Sequence, residues 1–586
     1  TSSTKNYNHR FNMRLTYQID SLNSILFTPR ISWQKNDNSS LTTSDEFVNA
    51  IQQLTTTNDV VSNNEGYSLN GDIMFRHKFM KHRRTISLRA GTSSTFSNGE
   101  TTTYSLSEAI NNHDNDLITN QLADNNSKNL GINTEVVFTE PLGVNSAVMI
   151  NYSPSFTFSE GNKTVYDKSY DDYRANYPVG SLSNTTESEY NQQKAGFGYN
   201  YNKGRFNMIA GLNYQYATLS GDQIFPQEAT TRKSFENALP SLMLSYKKDK
   251  TTSFRLHYRT NTSAPSVSQL QNTVNISNNR YYSMGNPDLN QQYTQNLMFH
   301  FATTNPETSR SFFAMAAITT TTDYIATAST IARKDSLIAN NILLPAGTQL
   351  DQPVNLDGYF SLNAFSTYGF PIKAIKSNIN INLGLNYQNK PGMYNHVKNN
   401  TDTYTINSGI VVGSNINQNI DFTASYNPGY NILKSSAATA SNYNYYNHTV
   451  QLDLNYTFWR RLVFNNSLKQ IYYKGLGEGL DQNYAQWNTS LGVKFLRDNR
   501  AELKLKVYDI LNSNSSISRS ITESYVSTTN TEVLSRYCML TFTFNLKKKG
   551  NQPKTNRDID RPMGPPPAGF RPAEGSMPPP PPGDMM

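Results

Sequence analysis

One pattern governs the chain: short runs in which apolar and polar residues strictly alternate, joined alternately by short turns and long polar stretches. Phe11, Met13, Leu15, Tyr17 and Ile19 alternate with polar residues, a turn at 20–23 follows, and Ile25, Phe27, Ile31 and Trp33 alternate back. Period-2 alternation places one side-chain set on each face of a strand. A long polar stretch then reaches Asn64 before Tyr67, Leu69, Ile73 and Phe75 begin the next run. The same unit recurs along the chain, with short turns near 81–84, 142–145, 202–205, 248–251, 305–309, 371–376, 415–419, 459–461 and 498–500. Short turns on one side and long loops on the other describe a membrane barrel with periplasmic turns and extracellular loops. Soluble propellers and sandwiches have no reason to sort their turns by length.

Composition agrees with a wall that has one greasy face and one wet face. Counting Gly and leaving out Tyr gives about 35% apolar residues, below the usual ~45–50%. Only 16% of residues are charged, against ~25% in ordinary globular domains. Little charge argues against a solvated disordered chain, and little apolar content against a thick core. A barrel with lipid outside and water inside escapes both limits. No apolar run approaches the ~18 residues of a membrane-spanning helix.

Several regular strands define the outward face. Phe206, Met208, Ala210, Leu212, Tyr214 and Tyr216 form one set, and Ile379, Ile381, Leu383, Leu385 and Tyr387 another. Val450, Leu452, Leu454, Tyr456 and Phe458 form a third, and Leu503, Leu505 and Val507 a fourth. The last is the closing strand, where Cys538, Leu540, Phe542, Phe544 and Leu546 share a face. Aromatic residues near strand ends, among them Tyr199, Tyr201, Phe458, Trp459, Tyr472, Tyr473, Phe542 and Phe544, read as interfacial girdles.

The runs number about 21, all antiparallel. The first and last both head towards the short-turn side, whereas single-chain bacterial barrels have an even count with both ends in the periplasm. The expectation is therefore an all-β barrel of about 22 strands whose first strand precedes Thr1. Residues 1–546 form the barrel, and 547–586 form a proline-rich disordered tail on the periplasmic side. Pro565–Pro567 and Pro578–Pro582 favour polyproline II and cannot join a ladder. The tail is either a spacer or a docking peptide for an envelope partner.

Candidate chemistry is sparse. Eight histidines show no metal-ligand spacing, and one cysteine excludes a disulfide framework or a CxxC site. No nucleophile elbow, phosphate loop or dinucleotide fingerprint is present. Asp171 and Asp172 read as solvated loop residues. An enzyme, a cofactor and a bound metal are thus not expected. The net charge is +8, but no basic cluster interleaved with aromatics points to nucleic acid. One row stands out: Arg255, His257 and Arg259 alternate with Phe254, Leu256 and Tyr258 and should face the lumen. They could attract an anionic ligand or pair with carboxylates of a plug, or simply be the polar lining that large barrels carry. Glu502, Lys504 and Lys506 give another wall mixed charge. The loops rich in Tyr and Asn, such as 443–446, could bind glycans or proteins.

The stretch from Gln269 and Leu270 through Gly285, Asn286, Pro287, Asp288 and Leu289, followed by a strand from Tyr293 to Phe301, resembles a motif in barrels of TonB-dependent receptors. It is most similar to the outer membrane β-barrel family of the Bacteroidota, over roughly residues 7–546. Gln291 and Gln292 stand where such receptors usually carry Glu. The resemblance implies a 22-strand barrel, an N-terminal plug, and TonB-dependent ligand uptake across the outer membrane. The plug is not among these residues. Outer-membrane lipid, the plug and TonB are the partners this implies. The rival expectation is a non-transporting subunit of an outer-membrane assembly, secretion or surface-attachment complex, held to a surface lipoprotein or envelope partner by the tail. In either case Gly285 to Leu289 are expected to shape loop and strand, not chemistry.

Overall fold

The computed structural model describes residues 2–48, 51–109, 117–169, 179–180, 182–225, 228–271, 274–278, 281–338, 342–414, 416, 419–436, 443–475, 481–496, 499–514, 516–521, 526–531 and 536–544. Among these, 26 strand segments join in one sheet. Three staves consist of two segments each: Ser2–Asn12 with Leu15–Gln18, Arg310–Thr322 with Tyr324–Ile331, and Gln349–Leu356 with Tyr359–Ile372. The hairpin of Val274–Asn278 and Tyr281–Met284 belongs to a loop. The described wall therefore has 21 staves, each paired antiparallel with its neighbours in sequence. This is the all-β, up-and-down architecture of a large transmembrane barrel.

The alternation works as the residues require. Along Phe206–Phe225, Leu212, Tyr214 and Tyr216 are exposed on one face, while Gln215, Ala217 and Leu219 are buried on the other. Ile381, Leu383 and Leu385 are likewise exposed on Ser377–Tyr394. Burying one such side chain away from water is worth about 1.5–3 kcal/mol, so a wall-wide band of them belongs in lipid. On Tyr443–Phe458 the outward aromatics Tyr446 and Phe458 mark the band's two limits. Twelve residue-to-residue steps of about 3.3 Å, tilted ~45°, give roughly 28 Å, close to the ~25 Å apolar band of such barrels. No helix is long and apolar enough to cross a membrane.

The short turns are held by carboxylates and carboxamides. Asp20 Oδ1 accepts from the backbone N–H of Leu22 and Asn23, both at 2.7 Å. Asp249 Oδ1 accepts from Thr251 and Thr252 at 2.8 and 2.7 Å, and Asn305 Oδ1 from Glu307 and Thr308 at 3.0 and 3.1 Å. A short side-chain acceptor that closes its own turn is why Asp and Asn recur there.

Two expectations need correction. The polar stretch from 34 to 64 is not a loop: Asn23–Val48 and Ile51–Lys78, of 26 and 28 residues, run on as paired strands. With both faces polar there is no period-2 contrast to read. The outer apolar band ends where Trp33, Tyr67 and Phe96 stand side by side, Tyr67 and Phe96 stacked at 5.4 Å. Above it the hairpin continues some 50 Å along the strand at about 3.3 Å per residue. Thr85–Ala109, Leu117–Pro141 and Ser146–Asp167 are also long, so one flank of the long-loop rim is a tall polar sheet. The second correction is 443–446, which opens the strand Tyr443–Phe458 instead of lying in a loop.

At its two ends the wall shows open ladders. Ser2–Asn12 pairs with Asn23–Val48, and Tyr537–Phe544 pairs with Ala501–Tyr508. Among the described residues no ladder joins the first stave to the last. Leu546, the tail from 547 to 586, Asp171 and Asp172 lie outside the described residues, as do parts of the turns at 415–419 and 498–500.

Candidate functional site

Between Thr252–Ser263 and Gln292–Asn305, the described residues 264–271 and 281–291 fold back against the inner face of the wall. Its first turn, Val267–Leu270, is set by a capping box: Ser266 Oγ accepts from Gln269 N at 3.2 Å, and Gln269 Oε1 accepts from Ser266 N at 2.9 Å. Leu270 and Leu289, 1% and 0% exposed, pack on Leu219 and Phe235, which point inward from neighbouring staves. Gly285 is where the returning chain crosses that turn. A Cβ there would run into the carbonyl oxygen of Gln271 and stand 2.8 Å from that of Ser268. Only glycine allows so close an approach of backbone to backbone.

The rest of the motif is tied on two sides. Asn286 donates its N–H to the Gln269 carbonyl at 2.6 Å, and its Nδ2 donates to the Pro353 carbonyl at 3.0 Å. Asp288 N–H donates to Asn286 Oδ1 at 3.0 Å, closing a turn around Pro287. Lys233 Nζ donates to the Leu289 carbonyl at 2.9 Å. Gln291 reaches the wall: its Oε1 accepts from Asn237 Nδ2 at 2.7 Å and its Nε2 donates to the Tyr190 hydroxyl at 2.9 Å. Gly285, Asn286, Pro287, Asp288 and Leu289 thus pin an inturned loop between the staves around Leu219 and the strand Gln349–Leu356. The sequence reading missed the inward fold. Its signals were the Ser266-x-x-Gln269 box and two isolated leucines.

Arg255, His257 and Arg259 lie opposite Ser245, Met243 and Ser241 on one side and His300, Met298 and Asn296 on the other. All carry the parity opposite to the outward set Tyr246, Phe254, Phe301 and Phe312, whose rings follow one another at 6.3, 4.6 and 5.8 Å. The His257 and His300 rings meet edge-on at 6.3 Å. Near the short-turn rim the inner face holds a recess of about 460 Å³, lined by Asn202, Arg205, Asn207, Met243, Ser245, Lys247, Arg255 and His257. Arg259 stands farther up the strand, outside that lining. Arg205 and Lys247 come from turn and strand end, where spacing offers no parity by which to add them.

No carboxylate lines the recess. Some cations elsewhere have acidic partners: Arg89 with Asp72 at 2.7 Å, Lys128 with Glu160 at 3.2 Å, and Lys504 with Glu502 at 2.9 Å. Lys506 stands 3.9 Å over the Tyr508 ring. On that wall Glu502 thus offsets Lys504, while Lys506 keeps its charge over an aromatic face. Among the described residues no three or more His, Cys, Asp and Glu side chains gather as metal ligands.

On the closing strand, Cys538, Leu540, Phe542 and Phe544 lie opposite Val507, Leu505, Leu503 and Ala501. Phe542 packs on Phe495 at 6.3 Å, and Cys538 is an exposed free thiol. At the other edge of the band, Tyr446, His448 and Tyr472 cluster, with His448 and Tyr472 stacked at 5.0 Å. Tyr473, the next residue, faces inward, since neighbours in one strand cannot share a face.

Wall, band and sorted turns define a β-barrel membrane protein. The model of the outer membrane protein beta-barrel family matches residues 77–461, and the chain belongs to that family. Its place is the outer membrane. Similar solved structures include the ferric-catecholate import receptor Fiu from Escherichia coli K12 in its closed form, at 10% identity and a TM-score of 0.44, covering 93% of this chain and 81% of that one. The siderophore receptor PirA from Pseudomonas aeruginosa shares 10% identity at a TM-score of 0.37, covering 93% and 80%. FpvA from P. aeruginosa, bound to a heterologous pyoverdine and iron, shares 9% at 0.45, covering 93% and 71%. None of the curated proteins matches the chain.

Proposed function

We propose that this chain is the barrel of an outer-membrane receptor that takes up a ligand under TonB control. The observation that carries the reading is the width of the wall. With 21 described staves it exceeds the ~16–18 strands of open porins and approaches the ~22 of barrels whose lumen is plugged. A lumen this wide is not filled by its own side chains, so regulated passage requires a plug domain. In this reading the long-loop rim, with its tall polar sheet, faces outward and meets the ligand. The short turns face the periplasm, and so does the proline-rich tail. The inturned loop narrows the outer mouth, and the chain performs no covalent chemistry.

Intact mass and N-terminal sequence of the protein purified from outer membranes test this. A plug and a TonB-binding segment on the same polypeptide, or as a stoichiometric partner, are the expected result. Their absence, with other envelope proteins bound in fixed ratio, would replace uptake by a scaffolding role.

A further inference from the structure

The geometry points to a binding site for a compact polyanion in the recess at the short-turn end of the lumen, held by Arg205, Lys247, Arg255 and His257. These groups converge from the turn after Asn184–Lys203, the end of Ala229–Lys247 and the strand Thr252–Ser263. The Lys247 N–H donates to the Arg205 carbonyl at 2.8 Å, which fixes those two residues side by side. Ser245 lies directly opposite both Asn207 and Arg255, with Lys247 and Arg205 one step nearer the turns and His257, opposite Met243, one step farther up the wall.

Three features make this a site and not ordinary lumen polarity. First, its charges are unbalanced. The recess lining contains two guanidinium groups, an ammonium group and an imidazole, but no carboxylate. Among the described residues none of the four is in an ion pair. The nearest turn carboxylate, Asp249, directs Oδ1 to its own turn at Thr251 and Thr252. Like charges held together raise one another's energy, and a counter-anion relieves the strain. Second, the volume is of ligand size. About 460 Å³ lies within the ~300–1,000 Å³ of small-molecule pockets. Third, the lining is dominated by donors. Guanidinium and ammonium groups donate only, which suits a ligand that mainly accepts. The three permanent cations Arg205, Lys247 and Arg255 need more than one negative charge to balance them. The ligand class is a molecule with two or more phosphate or carboxylate groups. The site lies on the luminal wall that the plug of the uptake reading would face, so it rests on the recess staying open to a ligand beside that plug. If uptake holds, the recess lies on the exit side of the pathway.

Isothermal titration of the detergent-solubilised protein at neutral pH and low salt tests the site, with inorganic tripolyphosphate and citrate as separate probes. Saturable binding of one or both is expected, and the stronger of the two identifies phosphate or carboxylate as the preferred group. The triple variant R205Q/K247Q/R255Q should bind at least about 100-fold more weakly, since each charge-assisted contact is worth roughly tenfold. K35Q/K128Q/K398Q, with the same change in net charge far from the recess, should stay within about twofold. Resistance of the folded barrel to unheated detergent on a gel checks each variant. If the triple variant does not fold, R205Q and R255Q singly carry the comparison. The site is refuted if neither probe saturates, if the recess variants bind like the parent, or if the control variant loses as much.

Discussion

Gln291 donates from Nε2 to the hydroxyl oxygen of Tyr190 at 2.9 Å, joining the inturned loop to a strand 101 residues away in sequence. The same carboxamide accepts from Asn237 through Oε1, so one side chain satisfies two wall groups. Gln291→Leu leaves the half-buried Asn237 without its acceptor, at a cost of about 1 kcal/mol. The expected outcome is faster limited proteolysis within 264–291 while the barrel stays detergent-resistant. Unchanged cleavage would mean that the loop is held by other contacts.

Leu289 and Gly285 should be still less tolerant. Leu289→Ala empties a fully buried position, for which truncation costs about 2–5 kcal/mol. Gly285→Ala drives a methyl group into the Gln271 carbonyl, and overpacking of this kind costs about 1–3 kcal/mol. Both should release the loop to protease, and Asp288→Asn should not, because Asp288 enters the motif through its backbone N–H.

The outward face predicts a depth-dependent penalty. Leu383, 57% exposed on the outer surface, lies mid-band, so Leu383→Arg should destabilise folding into lipid vesicles by about 2–4 kcal/mol. Asn380→Arg, on the lumen side of the same strand, should cost under about 1 kcal/mol. Equal effects would contradict the assigned faces.

The turn at Asp249 predicts a pH signature. Hydrogen bonds from the Thr251 hydroxyl and backbone hold its carboxyl at about 2, below the ordinary 3.8. A depressed folded value means that the turn's carboxylate contribution is complete above 3.8 and fades as pH falls through about 2. The carboxyl carbon of Asp249, followed by NMR, should therefore titrate near 2. A midpoint near 3.8 would show that the turn is not closed by this group. Asp249→Asn, which keeps an acceptor, should preserve the turn better than Asp249→Ala.

How much of this was legible in the sequence depended on contrast between faces. Where Leu383 alternates with Asn382, strand, face and membrane side follow from spacing alone. Where Ser39, Ser40, Thr42 and Thr43 succeed one another, both faces are polar and pairing leaves no mark. For Arg255 and His257, alternation with Phe254 and Leu256 set the parity along the strand. Arg205 and Lys247 were not found, since a turn residue has no parity and their convergence depends on register between staves. The motif from Gly285 to Leu289 was recognisable as a shape-determining element, but its inward fold rests on contacts with Leu219, Phe235 and Tyr190, far away in sequence.

The central claim, energised uptake through a wide gated barrel, is tested most directly by binding of the periplasmic domain of TonB from the same cell to the protein purified intact from outer membranes. A saturable one-to-one complex is predicted. No complex, with the protein instead bound stoichiometrically to other envelope components, would contradict uptake.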